Sequence, residues 1–442
     1  MMDRRAWQML MIGLGTALVP LDSAVNIAFP AITARFGLAI QDIQWVVICY
    51  LLTYISLLLA VGRIGDLFGH ALVFRIGLVW SAGALLLSAL APSYPALLAC
   101  RVLQGVGAAL VLSCGPALST GLYDEERRSR VLGVYTMCWA LGMALGPWIG
   151  GALVQAWGWP AVFWFRVPIA ILALVLLRDL PRMPRHTGPA SFDFLGAGLL
   201  ALALLALLMS FNRLGHWLVL PLGFLSLAAF LGFFWQERRA SQPILDLRMF
   251  SAPGFARLNV AYLLTNLAGF TVWLLVPYYL TRETGLTLTA AGAVLATGSF
   301  GMTAAALAGG RLIGRITAGR LTVIGALLTG IGLAATSTWA PGTATPFLIG
   351  ALLVQGFGIG LFQVAYTDLV AAAMPRESRG VAGSLAMLTR TIGTVSAAAL
   401  LLLLFQRLAA DSGFLPAFRQ SFQLAAVLPL AMAGVLALRP RR

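Results

Sequence analysis

An aspartate inside a long apolar run carries the clearest chemical potential in this chain. It lies in Leu21-Asp22-Ser23-Ala24-Val25-Asn26-Ile27-Ala28-Phe29-Pro30. A carboxylate within a membrane span costs about 2.5–3.5 kcal/mol on insertion scales, so it is expected to face a partner or a water-filled path. Asn26 follows one helical turn later and shares that face. Two readings stand side by side, a titrating or cation-binding site and a structural ion pair or helix cap. A second charge within a span, Arg101, opens Arg101-Val102-Leu103-Gln104-Gly105-Val106-Gly107. At about 1.5 Å per residue, Asp22 sits roughly 20 Å above the start of its span, a depth that Arg101 reaches from the opposite side. The two are placed to pair directly or through Gln104, at a point where protonation and substrate would compete.

Two glycine patterns accompany these charges. Gly142, Gly146 and Gly150 recur every fourth residue around Pro147 and run into Gly151, giving a bent helix with a side-chain-free stripe suited to close packing or to movement. Gly62-Arg63-Ile64-Gly65-Asp66-Leu67-Phe68-Gly69-His70 reads as a tight turn after an apolar run, with Asp66 as a cap or an arginine partner.

The elements that position these residues are membrane helices. The chain of 442 residues is 60% hydrophobic and only 10% charged, which excludes a soluble domain of ordinary composition. Apolar runs of roughly 20 residues recur throughout, and short alternating barrel strands do not. Fourteen spans are expected near 8–30, 43–62, 72–91, 95–119, 131–154, 160–177, 192–210, 217–235, 255–280, 289–310, 318–339, 345–368, 381–406 and 416–438. The basic residues number thirty and all are arginine. With both termini cytoplasmic, twenty-two fall inside, six outside (Arg35, Arg166, Arg213, Arg282, Arg407, Arg419), and Arg101 and Arg390 lie within spans. That asymmetry follows the positive-inside rule, so the net charge of +15 speaks of topology and not of nucleic acid. The four cysteines and three histidines form no metal-ligand or disulfide pattern, and no nucleophile–base pair or phosphate loop points to an enzyme.

An internal repeat divides the chain. Gly62-Arg63-Ile64 returns as Gly310-Arg311-Leu312, and Gln104-Gly105-Val106-Gly107 as Gln355-Gly356-Phe357-Gly358. Residues 1–177 and 255–442 are expected to form two six-helix bundles related by an axis along the membrane normal, with 178–254 supplying loops and an inserted pair, spans 7 and 8. Asn259, Tyr262 and Asn266 make span 9 the most polar of the second half, and with Gln355 and Arg390 they are candidates for a substrate path. Trp139, Trp148, Trp164, Phe270 and Trp273 fit either a lipophilic cavity or ordinary packing.

The order of these motifs resembles the major facilitator superfamily. The span count and the Leu-Asp-Ser-Ala-Val-Asn opening are similar to its fourteen-span drug:proton antiporter family. The resemblance implies an all-α polytopic fold and alternating access by two rocking bundles. It also implies export of lipophilic or amphiphilic compounds driven by proton influx, in a bacterial plasma membrane, by a monomer without a bound cofactor; import or facilitated passage of a metabolite on the same fold, and a receptor or scaffold that does not transport, are the alternatives. Asp22 and Arg101 match the family's coupling carboxylate and span 4 arginine. Gly62, Arg63, Asp66 and Gly69 match its latch loop, and Gly142 to Gly151 its antiporter motif. The chain departs from the pattern at His70 and Ala71, where the family carries basic residues, and at Gly314, where a second-half Asp66 would stand. With few acids deep in its spans, the expected substrate is neutral, amphiphilic or anionic. The glycine stripe is expected to close against Gly292, Gly298, Gly301 and Ala305 of span 10 as an outer gate.

Overall fold

The computed structural model describes residues 12–121, 128–177, 193–212, 217–239, 254–312, 315–372 and 379–438. Every regular element among them is helical, and each of the expected spans is occupied by helix. By length and composition, nine of the described helices can cross a membrane, or ten if the bent span 1 is included. Shorter apolar helices cover Gln44–Leu58 in span 2, Ala161–Leu176 in span 6 and Leu195–Leu207 in span 7.

Prolines explain where the helices break. In span 1, Pro20 and Pro30 each remove a backbone donor, and the chain responds with a 3-10 turn at Pro20–Ser23. The segments Ile12–Ile27 and Phe29–Phe36 then meet at 61°. Span 6 is divided at Phe165, between Ala161–Trp164 and Arg166–Leu176, where Pro168 cannot donate to the Trp164 carbonyl. Span 2 differs from expectation. Its helix, Gln44–Phe68, continues through Gly62, Arg63 and Asp66, and span 3 begins at His70. Only Gly69 makes the turn, at φ 96°, a conformation that side-chain-bearing residues rarely adopt. Gly65 stays helical because it packs tightly, since a Cβ there would lie 2.5 Å from the His70 Nδ1. The side chains of Arg63 and Asp66, and all of Gly314, fall outside the described residues.

The chain divides into two compact units, Met1–Ala201 and Leu202–Arg442, and the division falls inside span 7. In the first unit span 4 packs on spans 2 and 3, span 3 on span 6, and span 5 on span 1. In the second unit span 12 packs on spans 10 and 11, span 11 on span 14, and span 13 on span 9. Each neighbour pair of the first unit thus has its counterpart in the second, which is the architecture the Gln-Gly-x-Gly repeat requires. Span 8 presents Leu220, Phe224 and Leu231 outward, as a helix does when lipid is its solvent. It is tied to span 7 by the Ser226 hydroxyl, which donates to the Ala203 carbonyl at 2.9 Å.

Candidate functional site

Four spans of the first unit converge on Asp22. The 3-10 turn presents its carboxylate to span 4, where Arg101 Nη1 donates to Oδ1 at 2.8 Å and Nη2 to Oδ2 at 2.6 Å. Gln104, one turn further along span 4, donates from Nε2 to Asp22 Oδ1 at 2.9 Å while its Oε1 accepts from Arg101 Nη1 at 2.7 Å. Span 2 contributes the Val46 carbonyl, which accepts from Arg101 Nε at 2.7 Å. One turn on, the ring of Tyr50 lies 4.4 Å below the Arg101 guanidinium. Arg101 is therefore held by a bidentate carboxylate, an amide, a carbonyl and an aromatic face.

A second guanidinium completes the cluster. Arg166 Nη1 donates to Asp22 Oδ1 at 2.8 Å and to the Leu18 carbonyl at 3.4 Å, and its Nε donates to the Val162 carbonyl at 3.2 Å. Sequence analysis placed Arg166 among the outer arginines. The structure buries it completely, with its guanidinium 5.8 Å from the Phe163 ring and 5.9 Å from that of Phe165. The break in span 6 just before it sets the register that turns it inward. A usable signal existed in the sequence, because Arg166 lies six residues inside an apolar run and is preceded by Phe-Trp-Phe. Ser23 and Tyr50 were also missed, since neither a serine nor a tyrosine stands out in an apolar span. The Asp22 side chain remains 13% exposed, so the cluster is open at the carboxylate. Asn26, one turn away, is half-buried.

The glycine stripe packs on this same segment. A Cβ at Gly142 would lie 2.8 Å from the Pro20 ring, at Gly146 2.0 Å from the Ser23 hydroxyl, and at Gly150 2.7 Å from the Ala24 carbonyl. Gly151 is buried beside it. Pro147 has no N–H to offer the Met143 carbonyl, and the Ser23 hydroxyl donates to that carbonyl instead, at 3.2 Å. In this structure the stripe seats span 5 on the bend of span 1. Within the second unit, a Cβ at Gly301 of span 10 would lie 2.5 Å from the Leu353 carbonyl oxygen of span 12, and one at Gly298 would be in ordinary contact with the Leu352 carbonyl at 3.6 Å. At Gly393, the repeat of Gly142, a Cβ would likewise lie 2.5 Å from the Leu263 carbonyl oxygen of span 9. Within the first unit, the stripe's missing side chains let the backbone of span 1 come this close.

The second unit has no matching charge cluster among its described residues. Three residues before Gln104 stands Arg101, but three before Gln355 stands Leu352. Gln355 is buried among Gly269, Gly298 and Gly332. Tyr262 stacks on Tyr366 at 3.9 Å within an apolar core that includes Phe255 and Phe362. Asn259 Oδ1 accepts from the Tyr366 hydroxyl at 2.7 Å, and Asn259 and Asn266 both donate to carbonyls one turn back, at 2.9 and 2.8 Å. These polar groups serve the interior of their own bundle in this structure. Arg390 is half-exposed. Trp148 and Trp164 face outward.

Two repeated helical bundles, lipid-facing apolar surfaces and a charge cluster on a broken helix define a polytopic membrane carrier. Residues 12–236 and 258–442 match the family model described as Major Facilitator Superfamily, and the chain belongs to that family of transporters. It is 31% identical over 397 residues to the tetracenomycin C resistance and export protein of Streptomyces glaucescens, covering 88% of this chain and 74% of that one. It is 27% identical over 379 residues to the riboflavin transporter RibZ of Clostridioides difficile, covering 85% and 83%. The fold is similar to the inward-facing crystal structure of a bacterial homolog of the human lysosomal transporter Spinster. The TM-score is 0.72 at 17% identity, covering 99% of this chain and 96% of that one.

Proposed function

We propose that this protein is a proton-coupled antiporter that exports lipophilic or amphiphilic small molecules by alternating access. It would act as a monomer in the bacterial plasma membrane with both termini in the cytoplasm. The observation that carries this reading is the Asp22 cluster. One carboxylate on a bent helix holds side chains of spans 4 and 6, and the bend is itself seated on the glycine stripe of span 5. A proton on Asp22 removes the negative charge that holds both guanidiniums, so protonation and the packing of four spans are tied together at one atom pair. Each pH unit across the membrane supplies about 1.4 kcal/mol per proton, and each 100 mV about 2.3 kcal/mol per charge. The relative named for tetracenomycin C resistance and export supports the outward direction. The relative named a riboflavin transporter supports a second reading, carriage of a metabolite on the same fold.

Proteoliposomes with an imposed pH gradient and a trapped pH dye test both, with tetracenomycin C and riboflavin as the probes. Antiport predicts proton movement opposite to the transported probe, lost in Asp22→Asn while downhill exchange of the probe persists. Uphill movement that survives Asp22→Asn would remove the coupling role from Asp22. Probe and proton moving in the same direction would favour the metabolite reading.

A further inference from the structure

The Asp22 cluster does not balance its charge. One carboxylate faces two guanidiniums, Arg101 and Arg166, both fully buried, and no second carboxylate among the described residues touches either. Burying an unpaired charge is costly, more so in a membrane where no solvent can screen it, so the surplus positive charge calls for an anionic partner.

Two donors at the cluster are also unused. Arg166 Nη2 is buried and has no hydrogen-bond partner, although Nε and Nη1 of the same group make three. The Tyr50 hydroxyl is likewise buried and unpartnered. Its ring lies 4.4 Å from the Arg101 guanidinium, so it belongs to this cluster. An unmade hydrogen bond from a buried charged group is among the more expensive defects a fold can carry. Both atoms donate, and both lie where positive charge is in excess. A cation would meet repulsion here, and a neutral compound would leave the surplus in place.

We propose that the site formed by Arg166 Nη2, the Tyr50 hydroxyl and Arg101 receives the single anionic group, a carboxylate or phenolate, of an otherwise apolar transported compound. Asp22 and Asn26 form the partly open edge by which that group enters. This rests on the transporter reading but not on proton coupling. Arg166 is the selectivity element because its free nitrogen offers the new bond. Arg101 is already occupied on Nε, Nη1 and Nη2.

The test measures binding of three probes of one shape to the full chain in detergent, in chloride-free gluconate buffer. The probes are 1-naphthoate, 1-naphthamide and 1-naphthylmethylammonium. Naphthoate is expected to bind at least tenfold more tightly than naphthamide, and the ammonium most weakly. Arg166→Gln should abolish the preference for naphthoate. Arg166→Lys should keep part of it, and Tyr50→Phe should weaken naphthoate severalfold with naphthamide unchanged. Size-exclusion and thermal profiles identify variants that fail to fold, and Tyr50→Phe and Arg166→Lys keep the test valid if Arg166→Gln does. Equal binding of the three probes, or a naphthoate preference that survives Arg166→Gln in folded protein, would overturn the proposal. So would chloride at 100 mM displacing naphthoate competitively, which would identify a resident inorganic ion as the occupant. Loss of anion preference alongside intact pH-driven export would remove the substrate class alone. Anion preference without proton movement would remove the coupling reading alone.

Discussion

Gly146 offers the sharpest probe of how span 5 is joined to span 1. A methyl group added there would lie 2.0 Å from the Ser23 hydroxyl oxygen and 3.0 Å from the Ala24 nitrogen, well inside a comfortable contact of roughly 3.5 Å. The hydroxyl can swing away, but the Met143 carbonyl then loses its donor, because residue 147 is proline and cannot replace it. A buried acceptor left unsatisfied costs about 1–3 kcal/mol. The remaining clash with the backbone at Ala24 adds about 1–3 kcal/mol of overpacking. Gly146→Ala alone should therefore cost about 2–6 kcal/mol. In a Ser23→Ala background the hydrogen bond is already gone, so the same substitution should bear only the overpacking. The coupling energy of the pair is expected to be about 1–3 kcal/mol. Thermal unfolding of the four purified proteins measures it, with roughly 2–4 °C per kcal/mol for a unit of this size. Strict additivity, or a neutral Gly146→Ala, would refute the argument that Ser23 substitutes for the missing proline donor.

Two further predictions concern the second unit. A Cβ at Gly356 would lie 1.9 Å from the Gly298 carbonyl oxygen, and this neighbour is backbone that cannot rotate aside. Gly356→Ala should therefore force spans 10 and 12 apart and lower the yield of monodisperse protein, while Gly350→Ala, with open space around it, should not. Tyr366→Phe removes the donor to Asn259 Oδ1 and leaves only the longer Thr389 contact at 3.4 Å. It should cost about 1 kcal/mol in thermal unfolding, and an unchanged transition would show that the bond contributes nothing.

The fold was legible in the sequence because a bilayer reduces the problem to apolar length, loop charge and breakers. Spans 1 to 14 needed little more, and the repeat was visible in a few glycines and glutamines. Asp22, Arg101 and Gln104 were legible as a group because depth along antiparallel helices is simple arithmetic. Arg166 was legible only in its depth within an apolar run, because its inward direction depends on the helix break at Phe165. The extent of span 2 was misjudged for a related reason. Gly62 and Gly65 have the composition of a turn, yet the helix runs through both, and Gly65 is packed tightly against His70 of span 3 and Cys114 of span 4. The contact of the glycine stripe with span 1 was also beyond reach, since a smooth face specifies closeness and not identity. The Ser23–Met143 bond that fixes the partner follows from a proline on one helix and a serine on another, a pairing that no spacing within either helix announces.

The position of Arg166 has one more consequence. Its Nη1 binds the Asp22 carboxylate and also the Leu18 carbonyl, in the stretch where span 1 tightens and loses its regular ladder. One nitrogen thus serves as counter-ion and as substitute backbone partner. Whatever draws that guanidinium toward a new ligand must loosen the helix just before its bend. By thermodynamic reciprocity, a change in the bend must alter the affinity for that ligand by the same factor. Under the proposed anion site, sensor and hinge would share one atom, so a signal would cross no distance to pass from chemistry to shape.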